Sequence, residues 1–286
     1  MPEGSRLCPF CRRLNSVSEK ECHHCGRRLP GAAVTGLLGF GRDLAASDAP
    51  VTRLFLGICL AVFALCAASE HQIPPLISGG FRASTLLRFG AEGPSFGREE
   101  PWRYLAAVFV HANTLHIVMN GVSLASLGGP VERDFGPARF ALLFVLSGFL
   151  GFVASDLWYG AEVPFTVGAS GAIFGVLGGA IGERLLRRDP AWKDMMLRGV
   201  VYALILAFIP MMSVNTAAHI GGLISGFALG FLLNRLGRRA NSTLAVLAVA
   251  GVLATFVSLW LSNRSVLWRI ERAAEMQQEM ASPERS

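Results

Sequence analysis

Apolar stretches long enough to form membrane-spanning helices recur along most of this chain. An α-helix needs about 17–25 apolar residues to cross a bilayer. We place seven such stretches by sequence, at 51–69, 104–127, 138–156, 169–183, 198–213, 217–235 and 243–262. Only 16% of the 286 residues are charged, against about a quarter in a soluble domain. The sequence therefore predicts an all-α polytopic membrane protein.

The chain divides into five segments by composition. Residues 51–236 form a predicted core of six transmembrane helices, and residues 243–262 form a seventh. Residues 1–30 are polar and rich in cysteine, whereas residues 31–50 are rich in Gly and Ala and form a predicted linker. Residues 263–286 form a polar, helix-prone tail. We therefore expect a small N-terminal module followed by a membrane-embedded core.

Arginine and lysine are distributed unevenly among the connections between the predicted spans. The connections at 128–139 and 183–198 carry several of them, whereas those at 157–168 and 210–216 carry none. By the positive-inside rule the former face the cytoplasm, which puts the N-terminus in the cytoplasm and the C-terminal tail outside. We interpret the net charge of +6 in the same way, rather than as a nucleic-acid footprint.

The first outer connection, about residues 70–103, runs against this rule. It contains four arginines, Arg82, Arg88, Arg98 and Arg103. It is also long, and it contains Pro, Gly and aromatic residues. The predicted orientation therefore rests on the other connections.

Strongly polar side chains occur inside three of the predicted spans, where polarity is costly and points to function. The second span contains His111, His116 and Asn120, the fourth opens with Ser170, and the sixth opens with His219. His116 and Asn120 are four residues apart and share one face of a helix. Under the predicted topology Ser170 and His219 both stand near the outer ends of their helices. They are therefore at similar depth, as a two-residue catalytic centre requires.

Glycines recur every fourth residue on the two spans that carry Ser170 and His219. The fourth span has Gly171, Gly175 and Gly179, and the sixth has Gly222, Gly226 and Gly230. Such stripes of small residues let two helices approach closely. Packing one stripe on the other is expected to bring the hydroxyl of Ser170 beside the imidazole of His219.

This pair has the chemistry of a nucleophile and its base. A serine hydroxyl becomes a good nucleophile when a neighbouring group takes its proton, and histidine titrates in the right range to do so. No Asp or Glu lies near His219 in the sequence, which favours a dyad over a triad. His116, Asn120 and the backbone N–H of Ser170 are candidate donors to the oxyanion. Residue types alone leave open an ion or proton pathway, as well as packing and capping roles.

At these positions the sequence resembles the rhomboid family of intramembrane serine proteases. The matching motifs are the pair Trp102 and Arg103, the residues His111, His116 and Asn120, the pair Glu132 and Arg133, the stretch Gly168, Ala169, Ser170 and Gly171, and Ala218 and His219 followed by Gly222 and Gly226. They occur in the family's order over roughly residues 51–236. One departure is Phe174, where some members carry a tyrosine that stacks on the catalytic histidine; phenylalanine keeps the stacking surface.

The resemblance implies a six-helix core around a water-filled cavity that opens to the outer face of a cell or inner membrane. It implies that Ser170 and His219 form the catalytic dyad, while His116 and Asn120 help to form the oxyanion hole and His111 supports the site. The expected substrates are single-span or other transmembrane proteins, cut near the outer face without a cofactor. A catalytically silent rhomboid-like binder or chaperone of membrane proteins is the alternative. A proton-relay transporter is disfavoured because the core spans almost lack carboxylates.

The N-terminal module contains two CxxC pairs, Cys8 with Cys11 and Cys22 with Cys25. Four thiolates suit tetrahedral zinc, and a folded unit this short needs such a staple. We therefore predict a zinc ribbon with a structural zinc ion. The arginines around the cysteines leave nucleic acid or anionic lipid open as partners. Docking to a cytosolic protein is the expected role, and nucleic acid is disfavoured.

Overall fold

The structure is a computed structural model, and it describes residues 5–8, 10–16, 19–29, 47–74, 79–93, 96–162, 165–207, 215–236 and 240–281. The chain forms two compact units, Met1–Pro50 and Val51–Ser286. Most of the predicted linker, 31–50, lies outside the described residues, and so do residues 208–214.

The N-terminal unit contains a small antiparallel sheet. Strands β1 (Ser5–Leu7) and β2 (Leu14–Ser16) pair with Leu7 opposite Leu14. Among the described residues of this unit, Cys8, Cys22 and Leu29 form a buried apolar cluster, with Cys11 packed against it. So small an apolar cluster does not supply enough buried area to hold a fold of this size, which points to an additional cross-link.

The second unit is built from helices. The α-helices are α1 (Pro50–Glu70), α2 (Ala83–Phe89), α3 (Phe96–Glu99), α4 (Arg103–Ala106), α5 (Thr114–Phe135), α6 (Pro137–Tyr159), α7 (Ser170–Leu186), α8 (Trp192–Ala207), α9 (Thr216–Arg235), α10 (Asn241–Arg264) and α11 (Leu267–Ala281). Single turns of 3₁₀-helix follow α4 (Ala107–Phe109) and α6 (Gly160–Glu162). The predicted class, an all-α membrane protein, is confirmed.

Several of these helices are suited to cross a bilayer. By length and composition α1, α6, α9 and α10 each suffice, and α4 with α5 makes a fifth span if the bent pair is one crossing. Helix α7 has 17 residues, and the described part of α8 has 16. The predicted fourth span coincides with α7, whereas the end of the predicted fifth span, 208–213, lies outside the described residues. The expectation of seven crossings stays a prediction.

The predicted second span, 104–127, is wrong as a single helix. The chain bends by 90° between α4 and α5, because Asn113 begins a new helix at that point. Its side-chain oxygen accepts a hydrogen bond from the N–H of His116 at 2.8 Å, which caps α5. His111 therefore precedes α5 in a non-helical connection and does not share the helix of His116 and Asn120.

Helices α7 and α9 pack backbone to backbone along their glycine stripes. Three pairs are in contact: Gly171 with Gly222, Gly175 with Gly226, and Gly179 with Gly230. A methyl group added to any of the three α9 glycines would overlap a carbonyl oxygen of α7. Only residues without side chains allow this approach, and it fixes the beginning of α7 against the beginning of α9.

Glu132, near the end of α5, holds the beginning of α1. Its buried carboxylate accepts hydrogen bonds from the N–H groups of Val51 and Thr52, at 2.9 and 2.7 Å, and from the Thr52 hydroxyl at 2.7 Å. A carboxylate at a helix N-terminus satisfies N–H groups that lack a partner within the helix, and it is favoured by the helix dipole. The neighbouring Arg133 is exposed.

The connection at about residues 70–103, predicted to be the first outer connection and called so below, is folded around Arg103, the largest fully buried side chain of the described residues. Its Nε donates to Glu100 at 2.6 Å, and its Nη1 donates to the backbone carbonyls of Leu87 and Ala91 at 2.8 and 3.0 Å. The preceding Trp102 is half-buried. Because a buried guanidinium is tolerated only when it is paired and hydrogen-bonded, these contacts define the shape of the connection.

The C-terminal tail contains a folded helix that packs on this connection. Glu275 of α11 accepts hydrogen bonds from the N–H and the hydroxyl of Ser84 in α2, at 3.0 and 2.6 Å. Just before α11, the hydroxyl of Ser265 donates to Glu100 at 2.7 Å. The end of α10 and the first outer connection therefore lie on the same side of the helix bundle.

Candidate active site

Ser170 is the first residue of α7, and the backbone before it takes a conformation that requires glycine. Gly168 has a φ of +122°, which other residues rarely adopt, and its N–H donates to the carbonyl of Ala107 at 2.8 Å. A methyl group at Gly168 would lie 2.5 Å from Nε2 of His116. Glycine at this position therefore both turns the chain into α7 and lets His116 lie against the residues just before Ser170.

His219 lies in the first turn of α9, and Asn215 fixes that turn. The side-chain oxygen of Asn215 accepts a hydrogen bond from the N–H of Ala218 at 2.9 Å, which caps the helix. Its amide nitrogen donates to the hydroxyls of Ser155 and Thr166, at 2.6 and 3.0 Å. Asn215 is not among the residues predicted from the sequence, although an Asn just before a glycine-rich helix is a helix-start signal.

The side chains of Ser170 and His219 are in hydrogen-bond contact, with 2.6 Å between Oγ and Nε2. The ring of Phe174, one turn after Ser170, stacks on the imidazole with 4.6 Å between the centroids and 26° between the planes. In the part of the chain that the structure describes, no carboxylate is paired with His219. The arrangement can pass a proton from a serine hydroxyl to an imidazole whose plane is held by an aromatic ring.

His116 and Asn120 lie one turn apart on α5, on the side that meets the residues before Ser170. The amide nitrogen of Asn120 donates to the carbonyl of His116 at 2.9 Å, which uses one of its two N–H groups. The fully buried ring of His111 meets the ring of His116 edge-on, with 5.0 Å between the centroids. A cavity of about 320 Å³ is lined by His111, Asn120 and Ala169 and extends to α1. The structure thus gathers all three predicted polar residues of this segment beside Gly168 and Ala169.

The predicted structural residues divide into two groups. Gly171, Gly222 and Gly226 belong to the α7–α9 contact that brings Ser170 and His219 together. The hydrogen bonds of Arg103 and Glu132 lie instead within the first outer connection and at the beginning of α1. These two residues support the frame of the bundle rather than the Ser170–His219 contact itself.

Comparison with known proteins identifies the family to which the chain belongs. A family model described as the Rhomboid domain matches residues 98–236. RHOMBOID-like protein 2 of Arabidopsis thaliana is 35% identical over 229 residues, which are 76% of this chain and 69% of the relative. The chain belongs to the rhomboid family. The family resemblance predicted from the motifs of this rhomboid is therefore confirmed.

Two further relatives extend the comparison. RHOMBOID-like protein 6, mitochondrial, of Arabidopsis thaliana is 32% identical over 218 residues, 63% of this rhomboid and 68% of the relative. Rhomboid protease GluP of Bacillus subtilis (strain 168) is 31% identical over 236 residues, 80% of this chain and 44% of the relative. The chain spans about half the length of several curated relatives that it matches.

The N-terminal unit of this rhomboid contains a candidate metal site. The Sγ atoms of Cys8, Cys11, Cys22 and Cys25 all lie within 4.8 Å of one another. The separation is 3.7 Å between Cys8 and Cys25 and 3.6 Å between Cys11 and Cys22. Zn–S bonds of about 2.3 Å in a tetrahedron place the sulfur atoms about 3.8 Å apart. The four cysteines can therefore hold a metal ion, and their spacing fits zinc.

The two CxxC turns repeat one backbone geometry around this cluster. The N–H of Arg12 donates to the carbonyl of Cys8 at 2.9 Å, and the N–H of Gly26 donates to that of Cys22 at 2.8 Å. Arg12 and Gly26, each four residues after the first cysteine of its turn, have φ values of +57° and +70°. Two equivalent turns that present four thiols to one point are typical of a zinc ribbon.

Proposed function

We propose that this rhomboid is an intramembrane serine endopeptidase with Ser170 as the nucleophile and His219 as its general base. The observation that carries the proposal is the 2.6 Å contact between Oγ of Ser170 and Nε2 of His219. A histidine at this distance can accept the hydroxyl proton as the oxygen attacks. The stacked ring of Phe174 supports the same assignment, because it holds the imidazole in one plane.

The reaction proceeds in two halves. Oγ of Ser170 forms a bond to the substrate carbonyl carbon while its proton moves to Nε2 of His219, and the same proton then goes to the leaving amine as the peptide bond breaks. Water next attacks the acyl-enzyme, with His219 taking its proton and returning it to Oγ of Ser170 as the ester bond breaks. No cofactor takes part in either half.

Three groups are the proposed donors to the oxyanion. The N–H of Ser170 lies at the first position of α7, where it has no acceptor within the helix and where the helix dipole favours negative charge. The second N–H of Asn120 and the ring of His116 complete the set. Their position beside Gly168 and Ala169 supports this role, with His111 packing behind His116.

The proposed substrates are transmembrane segments of other proteins. A cavity of about 340 Å³ lies between α5, α7 and α8, lined mainly by apolar groups that include Val122, Leu127, Phe174 and Leu177. Because Phe174 stacks on His219, this cavity leads from the lipid-facing side of the bundle towards the proposed dyad. An apolar segment entering there would present its backbone to Ser170.

Cleavage of a labelled single-span substrate by the purified protein in liposomes tests the assignment. Ser170→Ala is expected to reduce cleavage by about a thousandfold or more and to abolish labelling by a fluorophosphonate probe. Ser225→Ala is the matched control, because its hydroxyl bonds the carbonyl of Gly222 within α9; it should keep activity within about twofold. A folded wild-type protein that neither cleaves nor labels would favour the catalytically silent binder instead.

We further propose that the N-terminus is cytoplasmic and that the Ser170 end of the bundle faces outside. The distribution of arginine and lysine among the connections supports this orientation. Protease added to sealed, right-side-out vesicles should remove a C-terminal tag and spare an N-terminal tag. The reverse pattern would contradict the orientation without touching the catalytic assignment.

The metal of the N-terminal unit is proposed to be a structural zinc ion held by Cys8, Cys11, Cys22 and Cys25. The four thiolates supply a closed tetrahedral set with no open position for a substrate, which supports a structural role. Metal analysis of the purified chain should find one zinc per molecule. Cys8→Ser together with Cys25→Ser should lose it.

A further inference from the structure

The four arginines of the first outer connection differ in how their charge is balanced. Nε of Arg98 is 2.8 Å from Asp156, Nε of Arg103 is 2.6 Å from Glu100, and Arg82 is 3.5 Å from Glu279. Among the described residues, Arg88 has no carboxylate within ion-pairing distance. Of the four arginines, Arg88 is therefore the one whose positive charge is not paired with a carboxylate of the described residues.

Arg88 is held in place by aromatic rings rather than by anions. Its guanidinium carbon lies 5.2 Å from the centroid of the Trp268 ring and 5.6 Å from that of Phe89. Its Nε is buried and has no hydrogen-bond partner in the described part of the chain. A buried N–H of a charged group without a partner is costly, so the site favours an acceptor supplied from outside the chain.

A polar cleft of about 160 Å³ lies in front of Arg88, at the junction of α1, α2 and α11. Two further guanidinium groups line it, those of Arg82 and Arg272, together with the hydroxyl-bearing Ser69 and Thr85. Among the described residues, Arg272 contacts the carboxylates of Glu275 and Glu279 in α11 through its Nη1, at 3.3 and 3.4 Å. Both arginines can therefore turn part of their donor groups towards an anion in the cleft.

One carboxylate also lines the cleft, that of Glu70, and its hydrogen bonds involve both of its oxygens. Oε1 accepts from the backbone N–H of Arg82 at 2.8 Å, and Oε2 accepts from Gln72 at 3.2 Å. Glu70 thus joins the end of α1 to the connection. Three guanidinium groups line the cleft against this one carboxylate. Arg82 and Arg272 are also paired with Glu279 and Glu275 of α11, so the positive charge that the described residues leave unpaired is that of Arg88.

The cleft lies where spanning helices leave the apolar part of a bilayer. Helix α1 ends at Glu70 and α10 ends at Arg264, and residues of the cleft follow each end closely. Trp268, four residues after α10, is of the type that lies at the level of lipid headgroups. The ligand that is abundant at this level and carries hydrogen-bond acceptors and negative charge is the phosphate of a phospholipid.

We propose that this cleft binds the phosphate of an anionic phospholipid headgroup, with Arg88 as its main partner and Arg82 and Arg272 completing the site. Guanidinium groups suit phosphate because their N–H groups bond its oxygens in pairs. The acyl chains would continue from the cleft along the apolar surface of α1. Such a site explains why arginines occur in a connection that is predicted to face outside, where the positive-inside rule predicts few. The proposal does not depend on the proposed protease activity.

Lipid binding to the purified, delipidated full-length protein in detergent tests the proposal. Dioleoylphosphatidylglycerol should raise the Tm, whereas dioleoylglycerol, which has the same chains without phosphate, and glycerol 3-phosphate, which has no chains, should not. In native mass spectrometry Arg88→Gln should weaken binding of the phospholipid by about tenfold or more, the effect of losing a charge-assisted hydrogen bond. Arg269→Gln should bind as wild type, since Arg269 also contacts the Trp268 ring but does not line the cleft.

Three results would overturn the site as described. Equal binding by Arg88→Gln and wild type would remove the arginine from it, and equal stabilisation by dioleoylglycerol would show a purely apolar contact. Stabilisation by glycerol 3-phosphate alone would assign the cleft to a soluble phosphate ester. If Arg88→Gln fails to fold, Arg272→Gln on α11 replaces it and is expected to weaken phospholipid binding in the same direction.

Discussion

Asn215 joins three elements at the start of the helix that carries His219. Its side chain caps α9 and donates to Ser155 of α6 and to Thr166, four residues before Ser170. The same Thr166 pairs through its backbone with Glu92 of the first outer connection, at 2.8 and 3.1 Å. At the scale of single residues, the distance between Ser170 and His219 therefore depends on a buried amide that takes no part in the proposed chemistry.

Replacing Asn215 by alanine should loosen this junction. We expect a loss of about 1–2 kcal/mol in stability, since both a helix cap and buried hydrogen bonds disappear, and a fluorophosphonate labelling rate lower by about tenfold or more. Thermal denaturation and labelling kinetics in detergent measure the two effects. The control is Asn234→Ala on the same helix, where the side-chain amide donates to the carbonyl of Gly230 within its own helix. Equal behaviour of the two variants would argue against a positioning role.

Glu92 gives the first outer connection a dependence on pH. Burial raises the pKa of Glu92 to about 8, and the negative charge of Asp156 adds to the shift. The folded protein therefore keeps this proton up to about pH 8, whereas the unfolded chain releases it near the ordinary value of 4.5. Since folding takes up a proton in this window, the contribution of Glu92 to stability is full below about pH 4.5 and is lost as the pH rises to about 8.

Glu92→Gln should remove this part of the pH dependence. Between pH 4.5 and 8 the wild type is expected to lose at most about 1.4 kcal/mol per pH unit relative to the variant. Thermal denaturation at several pH values measures the difference, with the exposed carboxylate of Glu99 replaced by Gln as the control. A difference between Glu92→Gln and wild type that stays constant across this range would contradict the assignment.

At the scale of helices, the α7–α9 contact is the feature that the sequence predicts best. The four-residue spacing of glycines indicates both which helices meet and which faces they use, because packing without side chains leaves few other solutions. The break before α5 is less visible, because apolar residues lie on both sides of it and the short polar stretch between them, residues 111–114, could also lie within a helix. The structure shows that Asn113 caps α5 there. The packing of α11 on α2 depends on single hydrogen bonds between distant residues, such as Glu275 to Ser84, and no local pattern marks it.

Gly226→Ala tests this contact at the level of the element. The added methyl would overlap the carbonyl oxygen of Gly175, so α9 must move away from α7. We expect a loss of about 1–3 kcal/mol in stability together with a marked loss of probe labelling. Gly251→Ala in α10 is the control, because its methyl would meet only Val145 at 3.6 Å, an ordinary contact. Similar stability of the two variants would mean that the stripes are not tightly packed.

At the scale of the whole molecule, the chain combines two units that are stabilised by different means. The membrane unit has an extensive apolar core that includes stacked rings such as Phe55 and Phe144, 4.6 Å apart. Among its described residues, the N-terminal unit buries Leu29 beside its cysteines. Because the boundary between the units falls at Pro50, we expect the segments 1–30 and 51–236 to fold independently of each other.

Removal of zinc should therefore affect the two units differently. A chelator is expected to unfold the N-terminal unit, since metal binding supplies most of its folding free energy, and to leave the membrane unit intact. Limited proteolysis with trypsin should then cut between the two cysteine pairs, after Arg12, Arg13 or Lys20. The Tm of the membrane unit should stay unchanged, and the rate at which the fluorophosphonate probe labels it should stay within about twofold of that of the untreated protein. Cys8→Ser with Cys25→Ser should reproduce the effect without a chelator, and Cys59→Ser, outside the cluster, serves as the control. A fall in labelling that follows zinc loss, and that returns when zinc is restored, would show instead that the ribbon takes part in the activity of the core.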